Sequence, residues 1–135
     1  MRDYTTMAGV HQDRGERKLP LERVYRYLCQ PETLLRAYDK IGRNKGAMTG
    51  GSSSETVDGM SQKKVERIAD CLRKETYYFN PARRTYIPKK SGGKRPLGIP
   101  DWSDKLVQEA LKMVLEPYYE GRFRDCSHGF RPRRS

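Results

Sequence analysis

No run of apolar residues in these 135 positions approaches the roughly 18 needed to cross a bilayer. The opening stretch, MRDYTTMAGVHQDRGERKLP, also lacks the apolar core of a secretory signal. Cysteine is scarce. Cys29, Cys71 and Cys126 are far apart and odd in number, so a disulfide framework is not expected. With no C-x-x-C pair, and only His11 and His128 to add imidazoles, the spacings that zinc needs are missing as well. Three reduced thiols and no membrane span fit a cytosolic protein. Apolar residues make up only 35% of the chain, which predicts a thin core and a surface that awaits a partner. No two acidic residues are adjacent, and no internal repeat is visible.

Positive charge is abundant. Twenty-eight Lys and Arg face 17 Asp and Glu, a net charge of +11. Such an excess says little about fold and much about partners, of which RNA and DNA are the commonest polyanions. A membrane surface also attracts basic chains, but no segment here is suited to entering one.

Residues 1 to 20 show no apolar period and read as a flexible tail. From Val24 to Ile41, apolar residues recur at steps of three and four, and Pro31 is placed to begin a second helix rather than to kink one long helix. Gly42 to Gly59 is a long loop rich in Gly, Ser, Thr and Asn. Ser61 is a suitable N-cap for a helix from Gln62 to about Thr76. Residues 83–88 and 94–99 read as two strands joined at Ser91-Gly92-Gly93, with Pro88 and Pro96 marking edge strands or strand ends. A last helix spans about Ser103 to Tyr118, with Leu106, Val107, Ala110, Leu111, Val114 and Leu115 as its buried stripe. Asp101 and Asp104 fall at its start, where carboxylates suit the helix dipole. The fold class is therefore α+β, mostly helical, with one short antiparallel β-hairpin. Beyond residue 121 the chain is irregular, with five arginines against Asp125.

Residues 83 to 95 hold six cations and no acid. Charges so dense repel one another, which destabilises the free fold unless an anion is bound. A solvated edge protected by lysine is one reading. An anion clamp is the other: Gly92 and Gly93 let the backbone approach a ligand, Lys89 supplies a mobile charge and Arg95 a planar fork for phosphate oxygens.

Three stretches carry a resemblance. They are "YDKIGRNKGAMTGGSSSETVDGM" from Tyr38, "RRTYIPKKSGGKRPLGIPDWSDKLVQEALKMVLEPYY" from Arg83, and "SHGFRPRRS" from Ser127. In this order they resemble the N-terminal fingers region, with its non-retroviral N-terminal extension, of bacterial group II intron reverse transcriptases (maturases). The resemblance implies a fingers subdomain of a right-hand polymerase. It implies regions at 1–20 (tail), 21–60 (extension with a loop that lids the template) and 61–135 (fingers, leading to a palm). Lys89 and Arg95 match the cations that hold the incoming triphosphate. Asn44, Lys45, Arg83, Arg84, Lys90, Lys94, Arg131 and Arg133 are the expected template or RNA contacts. The implied partners are an RNA template, an RNA–DNA hybrid, intron RNA and a deoxynucleoside triphosphate. The implied location is the bacterial cytoplasm.

In relatives the metal-binding carboxylates follow the SHGFRP block, so this stretch is expected to have no catalytic or metal-ligating residue and no primer extension of its own. Mg2+ is expected in the full-length enzyme. Missing palm contacts would bare one side of the Leu106–Tyr118 helix and favour a homodimer of the fragment. The rival readings are a stand-alone RNA-binding module or maturase-like splicing cofactor without polymerase activity, and a relative from retrons or diversity-generating elements.

Overall fold

The computed structural model describes residues 3–44, 49–53 and 61–134. Its first element is a helix, α1 (Tyr4–Glu16). The sequence reading of an irregular tail over 1–20 is corrected here. Asp3 caps α1 by accepting from the Thr6 amide at 2.8 Å. The helix buries Met7, His11 and Gly15, one residue per turn on one narrow stripe. One of those three is polar and one has no side chain, so hydrophobic periodicity carries almost no signal of the helix.

Next come α2 (Val24–Leu28) and α3 (Pro31–Ile41), with Pro31 at the first helical position, where its missing N–H costs nothing. Ser61 opens α4 (Gln62–Arg73) by accepting from the Lys64 amide at 3.2 Å. Both α1 and α4 end on non-glycine residues in the left-handed region, Lys18 at φ 56° and Glu75 at φ 57°. Leu19 N donates to Arg14 O and Thr76 N to Cys71 O, which satisfies last-turn carbonyls that would otherwise lack partners. A glycine search for helix ends misses both.

The strands are β1 (Arg83–Pro88) and β2 (Lys94–Ile99), antiparallel, with Arg83 opposite Ile99 and Pro88 opposite Lys94. Then α5 (Trp102–Glu120) runs through the centre of the molecule. On one side it meets α2 and α3, against which α4 packs in turn, and the four helices share a core of Leu28, Leu34, Ala37, Val65, Ile68, Leu72, Leu106, Ala110 and Met113. The segments 21–60 and 61–135 thus share this core. On the other side α5 meets α1, where Tyr4 OH donates to Met113 O, His11 Nδ1 to Val114 O at 2.9 Å, and Tyr118 OH to Leu19 O at 2.6 Å.

The buried stripe of α5 differs from the expected one: Trp102, Met113 and Tyr118 are buried, while Leu111 is exposed. Helix α5 has neighbours on two sides, α2 and α3 on one and α1 on the other. Among the described residues, no helix is long and apolar enough to cross a membrane.

Candidate functional site: a cationic hairpin on an anchored base

A two-stranded ribbon alone is marginally stable in water. Here most of its residues are exposed, so its base must be held by something else. The anchor is a pair of buried carboxylates at the start of α5. Asp101 is the N-cap residue, yet its side chain does not cap the helix. Instead Oδ1 accepts from Ser53 N at 2.9 Å and Ser52 Oγ at 3.5 Å, and Oδ2 accepts from Asn80 Nδ2 at 2.7 Å. Asp104 accepts from Tyr77 OH at 2.6 Å and from Asn80 N at 3.0 Å.

These bonds tie the chain entering β1, the loop segment 49–53 and α5 into one joint. The Ser53 amide, above all, holds the Asp101 carboxyl below the usual carboxylate range; burial opposes it, and Asn80, Ser53 and Ser52 assist. Lys105 Nζ donates to Thr49 O at 2.9 Å, and Arg83 Nε to Gly50 O at 3.1 Å. Burial pulls the Lys105 amine below its ordinary value, Arg83 adds repulsion, and Asp101 opposes both.

The turn closes between Lys89 and Gly93, with Lys89 N donating to Gly93 O at 3.0 Å and Gly92 N to Lys89 O at 3.2 Å. Gly92 at φ 89° and Gly93 at φ 75° occupy backbone space that side chains disfavour. From the register, side chains alternate between two faces. Arg83, Thr85 and Ile87 share one face with Arg95, Leu97 and Ile99, since Ile87 is opposite Arg95. Lys89, one step past Pro88, continues that face and lies diagonal to Arg95, about 7–8 Å away. Arg84, Tyr86 and Pro88 share the other face with Lys94 and Pro96.

Elsewhere many cations are paired: Arg14 with Glu22, Arg36 with Glu32, Lys40 with Glu109, Arg43 with Asp39, Lys74 with Asp70. No acid pairs with Arg84, Lys89, Lys90, Lys94 or Arg95 among the described residues.

The remaining expected contacts are scattered. Asn44 is exposed three residues past α3, in a groove with Ile41, Trp102 and Lys105 that no hairpin residue lines. Lys45 and most of the Asn44–Asp58 loop lie outside the described residues. Arg133 is exposed. Arg131 has a side chain that is only 7% exposed and is engaged inside the protein. Nε and Nη2 donate to Glu120 Oε1 at 3.1 and 2.9 Å, Nη1 donates to Ser127 O and Arg124 O, and the guanidinium lies 5.2 Å from the Phe123 ring centre. Its donors pin the tail to α5 and leave little for a phosphate. His128 and Phe130 are both exposed.

No group of three or more His, Cys, Asp or Glu gathers among the described residues. The buried Asp101 and Asp104 are both engaged by protein donors.

No protein-family model matches the chain. Over 114 residues, 84% of its length, it is 51% identical to the group II intron-encoded protein LtrA of Lactococcus lactis subsp. cremoris, in which the match covers 19%. It is 49% identical over 109 residues to an uncharacterized 91 kDa protein in the cob intron of Schizosaccharomyces pombe, covering 81% of this chain and 14% of that protein. A shorter match of 36 residues, 53% identical, covers 27% of the chain and 5% of nuclear intron maturase 1, mitochondrial, of Arabidopsis thaliana. The chain thus spans less than a fifth of the length of each of these relatives.

Proposed function

The chain belongs to the group II intron-encoded reverse transcriptase and maturase family, and from that premise we propose that it is the nucleotide- and RNA-binding fingers region of an RNA-directed DNA polymerase. The single observation behind this reading is the cluster of unpaired cations on the hairpin. Arg95 lies on β2, and Lys89 follows the end of β1 on the side that Ile87 and Arg95 share, beside a turn of two glycines. A compact ammonium and a planar guanidinium at that spacing suit the oxygens of one triphosphate. Template or intron RNA would be drawn by Arg83, Arg84, Lys90, Lys94 and Arg133. The Mg2+ that nucleotidyl transfer needs would be held by carboxylates in a longer protein, which would also supply the palm.

The test is steady-state kinetics with varied nucleotide, alongside template binding, in a polymerase-competent protein that carries this chain. Each of Lys89→Ala and Arg95→Ala removes charge-assisted bonds of about 1.5–3 kcal/mol. That predicts a loss of roughly tenfold to a hundredfold in kcat/KM for the nucleotide, with template binding little changed. Lys90→Ala and Lys94→Ala should cost less and act on RNA affinity. Four equal effects would reduce the clamp to a diffuse basic patch.

A further inference from the structure

We infer that the hairpin has a second binding surface, on the face opposite Lys89 and Arg95, where Tyr86 stacks on one unpaired base of RNA while Arg84 and Lys94 hold the flanking phosphates. This surface is separate from the triphosphate clamp and does not require it. The register assigns it. Tyr86 lies opposite Pro96, Arg84 opposite Gly98, and Lys94 opposite Pro88, all on one side of the ribbon. Arg84 and Lys94 therefore bracket the tyrosine over about 13 Å along the strands.

The two faces are not equivalent. Thr85, Ile87 and Ile99 are half-buried on the clamp face, whereas Arg84, Tyr86, Pro88, Lys94, Pro96 and Gly98 are all exposed. Tyr86 leaves 57% of its surface bare and makes no hydrogen bond or ring contact among the described residues. Pro96 and Gly98, on the same face, carry no long side chain that could cover the ring. An exposed aromatic ring between two unpaired cations is the arrangement by which proteins hold single strands, because every base offers a π-face and every step a phosphate. An acidic protein partner would use the cations but has no need of the bare ring.

The test measures fluorescence anisotropy of a labelled, unstructured oligouridylate on the full chain. Tyr86→Ala should weaken binding by about 5- to 100-fold, the range for loss of one stacked base, and Tyr86→Phe should keep wild-type affinity. Arg84→Ala or Lys94→Ala should each flatten the slope of log affinity against log salt by about 0.7, whereas Tyr86→Ala should leave the slope unchanged. Excess deoxynucleoside triphosphate should not displace the oligonucleotide. Wild-type affinity in Tyr86→Ala, or equal losses in the Phe and Ala variants, would overturn the proposal. So would displacement by the triphosphate, which would mean that one face serves both ligands. Should Tyr86→Ala fail to fold, photocrosslinking of 4-thiouridine RNA to the wild-type chain decides: adducts must fall on the peptide containing Tyr86, and adducts confined to other peptides refute the stack.

Discussion

The Asp101 carboxylate holds the Ser53 amide at 2.9 Å across 48 positions of sequence. This bond joins the loop ahead of α4 to the point where the hairpin returns to the core. Because the acceptor is charged and buried and takes further donors from Asn80 and Ser52, its loss is felt at several places.

Asp101→Asn keeps the shape and replaces one acceptor oxygen with an amide donor. That amide must face either the Ser53 N–H or the Asn80 side-chain amide, both of which are donors. The expected cost is about 1.5–3 kcal/mol, the scale of a bond to a buried charged group. Differential scanning calorimetry should show a melting temperature several degrees lower. A variant that melts with the wild type would mean that the joint carries no stability.

The same carboxylate sets an acid dependence. Its folded pKa is depressed, chiefly by the Ser53 amide, so around pH 4 the unfolded chain binds more protons than the folded one. Stability from this group is therefore complete above the ordinary carboxylate pKa and drains away as pH falls through the lowered folded value. Urea unfolding followed from neutral pH down should lose stability below about pH 4, and Asp101→Asn should lack that component of the slope. Identical acid profiles for the two proteins would count against this assignment.

Local chemistry explains what could be read in advance. Ser61 and Pro31 mark helix starts by their own hydrogen-bonding and φ preferences, and Gly92-Gly93 marks a turn, so α3, α4 and both strands are legible. The cation cluster needs only counting. The rest depends on tertiary structure. α1 is invisible because its buried stripe is Met7, His11 and Gly15. The division of the hairpin cations between two faces follows from register, which is fixed by which residues close the turn. Arg131 reads as one more basic residue in a basic tail until the fold brings it to Glu120.

Gly51 sits against the anchored joint so closely that a Cβ there would lie 2.5 Å from Asp101 Oδ1 and 2.6 Å from Asp101 N. The backbone atoms cannot yield, so Gly51→Ala must push segment 49–53 away from Asp101. The hydrogen bonds from Ser53, and with them the Lys105 and Arg83 bonds to Thr49 and Gly50, should be weakened together. Hydrogen exchange should show a faster Ser53 amide, while amides in α4 keep wild-type protection. Unchanged exchange at Ser53 would show that the close approach is not required.

The α1–α5 contact offers the sharpest steric test. A Cβ at Gly15 would lie 2.1 Å from Tyr118 O and 2.9 Å from its carbonyl carbon. No rotamer relieves a clash between a Cβ and a backbone oxygen, so Gly15→Ala must separate the two helices. Separation would stretch the His11 Nδ1 bond to Val114 O and the Tyr118 OH bond to Leu19 O, and would loosen buried Met7. Overpacking of a close contact costs about 1–3 kcal/mol. The gain in helix propensity on replacing Gly with Ala, about 1 kcal/mol, works the other way. Gly9 is the internal control: it lies in the same helix, and a Cβ there meets nothing within 4 Å. Gly9→Ala should therefore stabilise the protein through propensity alone, and Gly15→Ala should destabilise it despite the same propensity gain. The difference between the two unfolding free energies isolates the helix contact. Equal stabilisation by both substitutions would show that α1 does not pack on α5 through Gly15, and that the apolar side of α5 is free for another partner.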